Sequence, residues 1–388
     1  MKHVIIILSL LIPAQDQQSQ NNGAVFIPES GVEGPGDFGA RVHTQHVVRV
    51  RPDVSVPDSS GLSPAQIKNI YGMPPTGGQG VIAIVGAFDY PSALSDFNTF
   101  SKQFGLPEST SANPLFRVVY AGGKKPRADV GWAQEAALDI QWAHAMAPNA
   151  KIVLVEAASN SFDNMFKAVE VAKGASIGAT HISMSWGANE FGTQGNYGVK
   201  FTPGPVWFAS SGDVGGIPSF PSTSANVVAV GGTRVELDVN GALASETGWS
   251  DSGGGVSAYE AKPNYQSGIA ETKRCVPDVS SDADPETGVW VYAPVGMGPK
   301  NTMVSTWLVF GGTSVSSPCV AGMVNLANQP YTGSFAFLTK IYGLQGTANF
   351  RDITGGSVFN ADGTVRYSCG PGWDKVTGIG VPSGTGGF

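Results

Sequence analysis

Residues 131–156 read Gly-Trp-Ala-Gln-Glu-Ala-Ala-Leu-Asp-Ile-Gln-Trp-Ala-His-Ala-Met-Ala-Pro-Asn-Ala-Lys-Ile-Val-Leu-Val-Glu. The first half, rich in alanine, leucine and other apolar residues, suits a helix. Pro148 and Asn149 then punctuate the chain, and Lys151–Glu156 reads as a strand with an apolar centre at Ile152–Val155. A strand apolar on both faces belongs inside a sheet that is covered on both sides. The same alternation extends outward. Gly80–Phe88 (GVIAIVGAF) predicts a strand and Ser92–Phe104 a helix. Beyond the quoted stretch, helical residues near 161–175 lead to strand-like runs at His181–Trp186, Val206–Ser210 and Val227–Val230. Strands alternating with helices mean βαβ units, so the expected fold is α/β, with a mostly parallel central sheet and helices on both faces.

The chain has 388 residues, 41% hydrophobic, enough for a large core. Charged residues are only 14%, with a net charge of −7 and no Lys/Arg run, which argues against a nucleic-acid partner. So few charges also hint at an acidic setting, where little charge change would follow. Met1–Ala14 has a short basic start, an apolar run Val4–Ile12 and a small residue before Gln15. That pattern predicts a signal peptide over residues 1–14, too short in its apolar run to span a bilayer, and hence a secreted protein. Residues 15–61, rich in Gln, Asn, Gly, Pro and Ser, read as a linker with one strand-like run at Val47–Arg51. The main domain is expected over residues 62–388, opening on a helix capped by Ser63 with Pro64 at its first position. Three cysteines allow at most one internal disulfide; Cys319 reads as a buried apolar residue, and a Cys275–Cys369 bridge is left open.

Within this frame, four groups carry chemistry. Glu135 and Asp139 lie four residues apart, on one helical face among apolar neighbours. Two such acids would repel if both ionised, so one should hold a proton, and the pair could take and return a proton as a general base. An exposed acidic face on an amphipathic helix would give the same spacing. Ser314 follows Gly311-Gly312-Thr313 at the start of an apolar helix, where glycines allow close approach and the helix N-terminus favours developing negative charge. A plain helix cap reads the same way. A nucleophilic serine needs a base, and none of the five histidines (His3, His43, His46, His144, His181) stands in a His-Gly-Thr context. Asp213 follows the strand Val206–Ser210 in a glycine turn, at the carboxyl end where open α/β sheets place active-site groups, although tight turns also favour aspartate. In the glycine-rich tail, Asp352 and Asp374 with nearby backbone carbonyls form an all-oxygen set suited to Ca²⁺, or else simple turns.

Taken in order, these segments resemble the sedolisin family, serine-carboxyl peptidases of subtilisin-like fold. The resemblance rests on Glu-Ala-Ala-Leu-Asp with Ala147-Pro-Asn-Ala150, Ser210-Ser-Gly-Asp213, Val230-Gly-Gly-Thr233, Ser252-Gly-Gly-Gly255, Pro277-Asp-Val-Ser280 with Ala283-Asp-Pro285, Gly311-Gly-Thr-Ser314 with Pro318, and Asp352-Ile-Thr354 with Gly370-Pro-Gly-Trp-Asp374. It spans residues 62–388. It implies that Ser314 is the nucleophile, Glu135 the general base and Asp139 its proton-sharing partner. It places Asp213 in the oxyanion hole, a role that requires the carboxyl to be protonated. It also implies one structural Ca²⁺ on the Asp352 and Asp374 carboxylates and the carbonyls of Ile353, Gly370 and Gly372. The family usually carries a large prodomain, for which residues 15–61 are too few.

The expected function is therefore a secreted, acid-acting serine-carboxyl endopeptidase. It would act on protein or peptide substrates as a monomer, without nucleic-acid or membrane partners once the signal peptide is gone. Two other readings stay open: a non-catalytic binding protein on this scaffold, and a secreted glycosidase using Glu135 and Asp139 as its carboxyl pair.

Overall fold

The seven-residue strand Val81–Ala87 runs parallel to Lys151–Ala157, paired from Val81–Lys151 to Ala87–Ala157. Around this pair the computed structural model, which describes residues 23–50, 55–299 and 302–388, builds an eight-stranded sheet. Phe116–Tyr120 lies beyond Lys151–Ala157, and His181–Met184, Val206–Ser210 and Val228–Leu237 follow on the other side. These pairings are all parallel, as is that of Val279–Asp282 with Val228–Leu237; only the edge strand Leu243–Gly248 is antiparallel. The expected α/β architecture is what the chain adopts.

Alternate residues of each strand feed two apolar layers. Ile82, Ile84, Ile152, Leu154, Val206 and Phe208 share one layer with the helices Ala93–Gln103, Val130–Met146 and Thr313–Leu326. Ala83, Val85, Val153, Val155, Ile182 and Met184 face the other way, towards the helix Phe162–Ala172. The run His181–Trp186 breaks at Ser185 into two strands, His181–Met184 and Trp186–Asn189. The first stays in the central sheet, whereas the second pairs with a different set of strands.

After Lys151–Ala157 the chain crosses Val81–Ala87 to reach His181–Met184. The carboxyl ends of the strands beside this reversal form the crevice in which such sheets gather their functional groups. Helix Val130–Met146 arrives between two of these strands, so its first turns lie at that end.

Residues 23–50, read from sequence as part of a linker, pack into the domain. Val47–Arg49 pairs antiparallel with Val309–Gly311, and His43–Thr44 pairs antiparallel with Trp186–Gly187. Val42–Thr44 and His46–Arg49 are buried. The strand-like run expected at Val47–Arg51 is found as the strand Val47–Arg49, whereas the two residues His43–Thr44 are too few to carry a periodicity. The expected signal peptide lies outside the described residues. Cys275, Cys319 and Cys369 are all free thiols, so the bridge left open by the sequence is not formed.

Candidate active site

Asp129 caps the helix Val130–Met146 through a hydrogen bond from the Trp132 amide at 3.2 Å. Every residue from Trp132 to Met146 is buried. The helix lies between the sheet and the strand Val289–Met297, which its polar side chains grip. Gln134 Nε2 donates to the Pro294 carbonyl at 2.8 Å, Gln141 Nε2 to the Tyr292 carbonyl at 2.8 Å and Trp142 Nε1 to the Trp290 carbonyl at 3.0 Å. These bonds satisfy groups that would otherwise be costly to bury, and they fix the rotation of the helix. Glu135 and Asp139 are thereby held inside, 2% and 1% exposed, which rules out the solvated acidic face. Burial raises the pKa of both carboxyls, and the Glu135 charge raises that of Asp139 further.

The opposing wall is the helix Thr313–Leu326, entirely buried and packed against Val130–Met146. Its N-terminal neighbour Gly312 has φ +93°, a conformation that disfavours any side chain. A Cβ there would also lie 2.5 Å from Asp213 Oδ2. Ser314, in the first turn, donates from Oγ to Glu135 Oε2 at 2.9 Å. Pro318, one turn on, has no amide to offer the Ser314 carbonyl, and Ser185 Oγ lies 3.4 Å from that oxygen. Ser185 Oγ also bonds Asp139 Oδ1 at 2.6 Å, so the break in its strand places one hydroxyl between the acid helix and the serine helix.

Asp213 Oδ1 accepts from the Thr313 amide at 2.8 Å and from Thr313 Oγ1 at 2.7 Å. Its Oδ2 is buried without a hydrogen-bond partner among the described residues, as is Glu135 Oε1. Burial lifts the Asp213 carboxyl to about 7 despite the two Thr313 bonds that oppose the shift. The four residues singled out from sequence thus meet in one place, although they come from three distant segments. Ser185 and Thr313 lay inside stretches that drew attention for other reasons.

The fifth contributor is the segment read as a linker. Glu135 Oε2 accepts from the Gln45 amide at 2.9 Å and lies 3.0 Å from His46 Nδ1. The Ser314 amide donates to the Gln45 carbonyl at 3.0 Å. His46 stacks on Phe310 with ring centroids 5.4 Å apart, and burial holds its imidazole down at about 4.

In the tail, the Gly372 amide donates to Asp352 Oδ2 at 2.8 Å, which brings the two aspartate segments together. Asp374 Oδ1 accepts the Val376 and Thr377 amides, each at 2.8 Å. None of the turn or loop amides among the described residues donates to the carbonyls of Ile353, Gly370 or Gly372. Two carboxylates and three uncommitted carbonyls are hard oxygen donors, so the residues fit a calcium ion by type. No cluster of three or more His, Cys, Asp or Glu side chains suited to a metal occurs among the described residues; the tail set has only two carboxylates. No helix among the described residues is long and apolar enough to cross a membrane.

Residues 131–340 match the subtilase family of peptidases. Kumamolisin from Bacillus sp. (strain MN-32) is 30% identical over 367 residues, covering 84% of this chain and 62% of that protein. Sedolisin from Pseudomonas sp. (strain 101) is 32% identical over 206 residues, covering 46% of this chain and 33% of that protein. The chain therefore spans at most about three fifths of the length of these relatives. Among solved structures, Pseudomonas sedolisin, a serine-carboxyl proteinase complexed with pseudo-iodotyrostatin, superposes with a TM-score of 0.68 at 23% identity. That match covers 84% of this chain and 96% of the other.

Proposed function

Because the chain belongs to the subtilase family, with sedolisins among its relatives, we propose that it is a serine-carboxyl endopeptidase with Ser314 as nucleophile. The observation that carries this reading is the 2.9 Å hydrogen bond from Ser314 Oγ to a buried carboxylate oxygen of Glu135. It gives the serine a base and the acid pair a task; the glycosidase reading leaves Ser314 and Asp213 without roles, and the binding-protein reading leaves all four residues without one.

In the proposed reaction, Ser314 Oγ attacks the substrate carbonyl carbon and its proton passes to Glu135. Asp139, one helical turn on and raised by the Glu135 charge, shares the proton of the pair. The developing oxyanion is met by the Ser314 amide and by a protonated Asp213, whose Oδ2 is free to donate. The tetrahedral intermediate collapses, the C–N bond breaks and the pair returns the proton to the leaving amine. Water then attacks the acyl-serine, giving its proton to Glu135 and releasing the carboxyl product. Secretion and activity in acid belong to the same proposal: the first rests on residues 1–14, the second on the protonated state that Asp213 must keep.

Ser185 is a positioning residue here. Ser185→Ala removes the 2.6 Å bond to Asp139 and leaves a buried carboxyl short of a partner. That should cost about 1–3 kcal/mol of stability, read by urea unfolding. It should also lower kcat with KM little changed, because Asp139 touches no substrate. A raised KM with unchanged kcat would speak against this role.

We further propose that the tail holds one Ca²⁺ through the Asp352 and Asp374 carboxylates and the carbonyls of Ile353, Gly370 and Gly372. Its effect would be on stability, since a ligand bound only by the folded state raises the melting temperature by mass action. EGTA should therefore lower the melting temperature at pH 5–6 and millimolar calcium restore it. Asp352→Asn is the cleaner variant, because Asp374 also accepts three backbone amides. It should give a protein whose melting temperature no longer responds to calcium. Equal melting temperatures with EGTA and with calcium in the wild type would remove the ion.

A further inference from the structure

We propose that the protein has a second binding site, apart from the cleft, for a carboxylate carried beside an aromatic group, and that Arg366 is the residue that receives the charge.

A cavity of about 950 Å³ opens between the last turn of the helix Ser334–Gly343, the loop after the short helix Asn264–Gln266, the hairpin strand Val365–Ser368 and residues 371–375. Sites of roughly 300–1,000 Å³ are the usual size for small ligands. It shares no lining residue with the cavity of about 220 Å³ at the cleft, which Gln45, Asp213 and Ser219 line. The turn that carries Asp213 stands between the two. Its Gly216 is buried under the hairpin, where a Cβ would lie 2.5 Å from Arg366 Cδ and 3.0 Å from Tyr367 Cδ2. The stem of Arg366 is therefore packed on that turn, which fixes where its guanidinium begins.

The walls are largely aromatic. Tyr265 and Tyr342 lie with ring centroids 5.3 Å apart. Their hydroxyls are already spent, on the Ala225 carbonyl at 2.9 Å and on Asp278 Oδ1 at 2.8 Å. Trp373 Nε1 likewise donates to the Pro277 carbonyl at 3.1 Å. What these residues offer the cavity is ring surface, which suits an aromatic body.

The charges at the wall leave one gap. Glu271 is paired with Lys375, whose Nζ also stands 4.9 Å over the Tyr367 ring. Asp374 accepts the Gly370, Val376 and Thr377 amides. Both acids are thus committed. Arg366 makes no hydrogen bond or ion pair among the described residues, and its Nε is buried without an acceptor. A buried N–H left unbonded is costly, so the missing acceptor is one that a ligand brings. The planar fork of a guanidinium matches a carboxylate through two parallel N–H bonds. A phosphate dianion would need a second free cation, and Lys375 is neutralised by Glu271. The carboxylate could be a chain's C-terminus or an acidic side chain.

The test is calorimetric titration of the full chain at pH 6, in millimolar calcium, with 3-phenylpropanoate and with its uncharged amide. Neither probe has a peptide bond of an amino-acid chain to cut. We expect saturable binding of one acid per chain, with the amide at least roughly tenfold weaker. Lowering the pH to 3 protonates the probe and should weaken it at least tenfold as well. Arg366→Met keeps an apolar stem over Gly216 and should bind acid and amide alike; its melting temperature shows whether it is folded, and the wild-type comparison of acid with amide stands without it. A photoactivated diazirine analogue of the acid should label residues 264–271 or 366–375. In Ser314→Ala, N-acetyl-diphenylalanine with a free C-terminus is set against N-acetyl-Phe-Glu-Phe amide: tighter binding of the first assigns the site to chain ends, and of the second to acidic side chains. No binding of the acid up to about 10 mM, equal affinity for acid and amide, unaltered affinity for the acid in a folded Arg366→Met, or labelling confined to the cleft overturns the proposal. None of these outcomes touches the peptidase reading.

Discussion

Ser314→Ala lowers peptide hydrolysis by roughly 10⁴- to 10⁶-fold, the range expected when the nucleophile of a serine hydrolase is removed. The variant keeps its fold. Ser314 is fully buried, and the change removes one oxygen from a helix whose other buried residues are untouched. Glu135 Oε2 still has the Gln45 amide at 2.9 Å and His46 Nδ1 at 3.0 Å, so the carboxyl is not stranded. Circular dichroism and the melting curve of the variant should overlay those of the wild type. Retention of more than a tenth of the activity would end the serine mechanism, whatever the other residues do.

The second large effect is on pH. Burial raises Asp213 to about 7, and below that value the carboxyl keeps the proton that it needs to donate. As pH rises through about 7 the donor is lost, and the shared proton of the Glu135–Asp139 pair goes in the same direction. kcat/KM should fall at least tenfold per pH unit on the alkaline side, the reverse of a histidine base. Asp213→Asn keeps a donor and should flatten that limb, at reduced rate.

Stability carries the same sign. A carboxyl raised by burial binds its proton more tightly in the folded state; its contribution is full below about pH 4 and is lost as pH rises through the folded value. Glu135, Asp139, Glu156, Asp213 and Asp282 are all raised in this way. His46, His144 and His181 are lowered to about 4 and act oppositely, losing their contribution as pH falls from about 6.5. Five carboxyls outweigh three histidines, so the melting temperature should be higher at pH 5 than at pH 8.

Much of this site was legible because its residues sit in long, regular elements. The spacing of Glu135 and Asp139 is a helical turn, which a solvated acidic face would share; burial of both carboxyls decides between the two. Gly311–Ser314 before an apolar helix, and Asp213 after an apolar strand, follow from how α/β sheets present groups at their carboxyl ends. That the Gln45 segment packs into the site was missed for a physical reason. Its strands are two and three residues long, and their partners lie roughly 140 and 260 positions away. The run Val47–Arg51 was legible as a strand, but nothing local in it or in His43–Thr44 encodes which distant strands they pair with. The split of His181–Trp186 at Ser185 was equally hidden, since an apolar run does not announce where it changes sheets. In the tail the two aspartates were legible, but the Gly372 amide that draws Asp352 to the loop was not.

The central claim is that Ser314, served by Glu135, forms the acyl-enzyme. Rapid acid quenching during turnover of a peptide ester, followed by peptide mapping, tests it directly. The account predicts an acyl group on Ser314, absent in Ser314→Ala and strongly reduced in Glu135→Gln. An acyl group on any other residue, or active turnover with no covalent intermediate and full activity in Glu135→Gln, would contradict it.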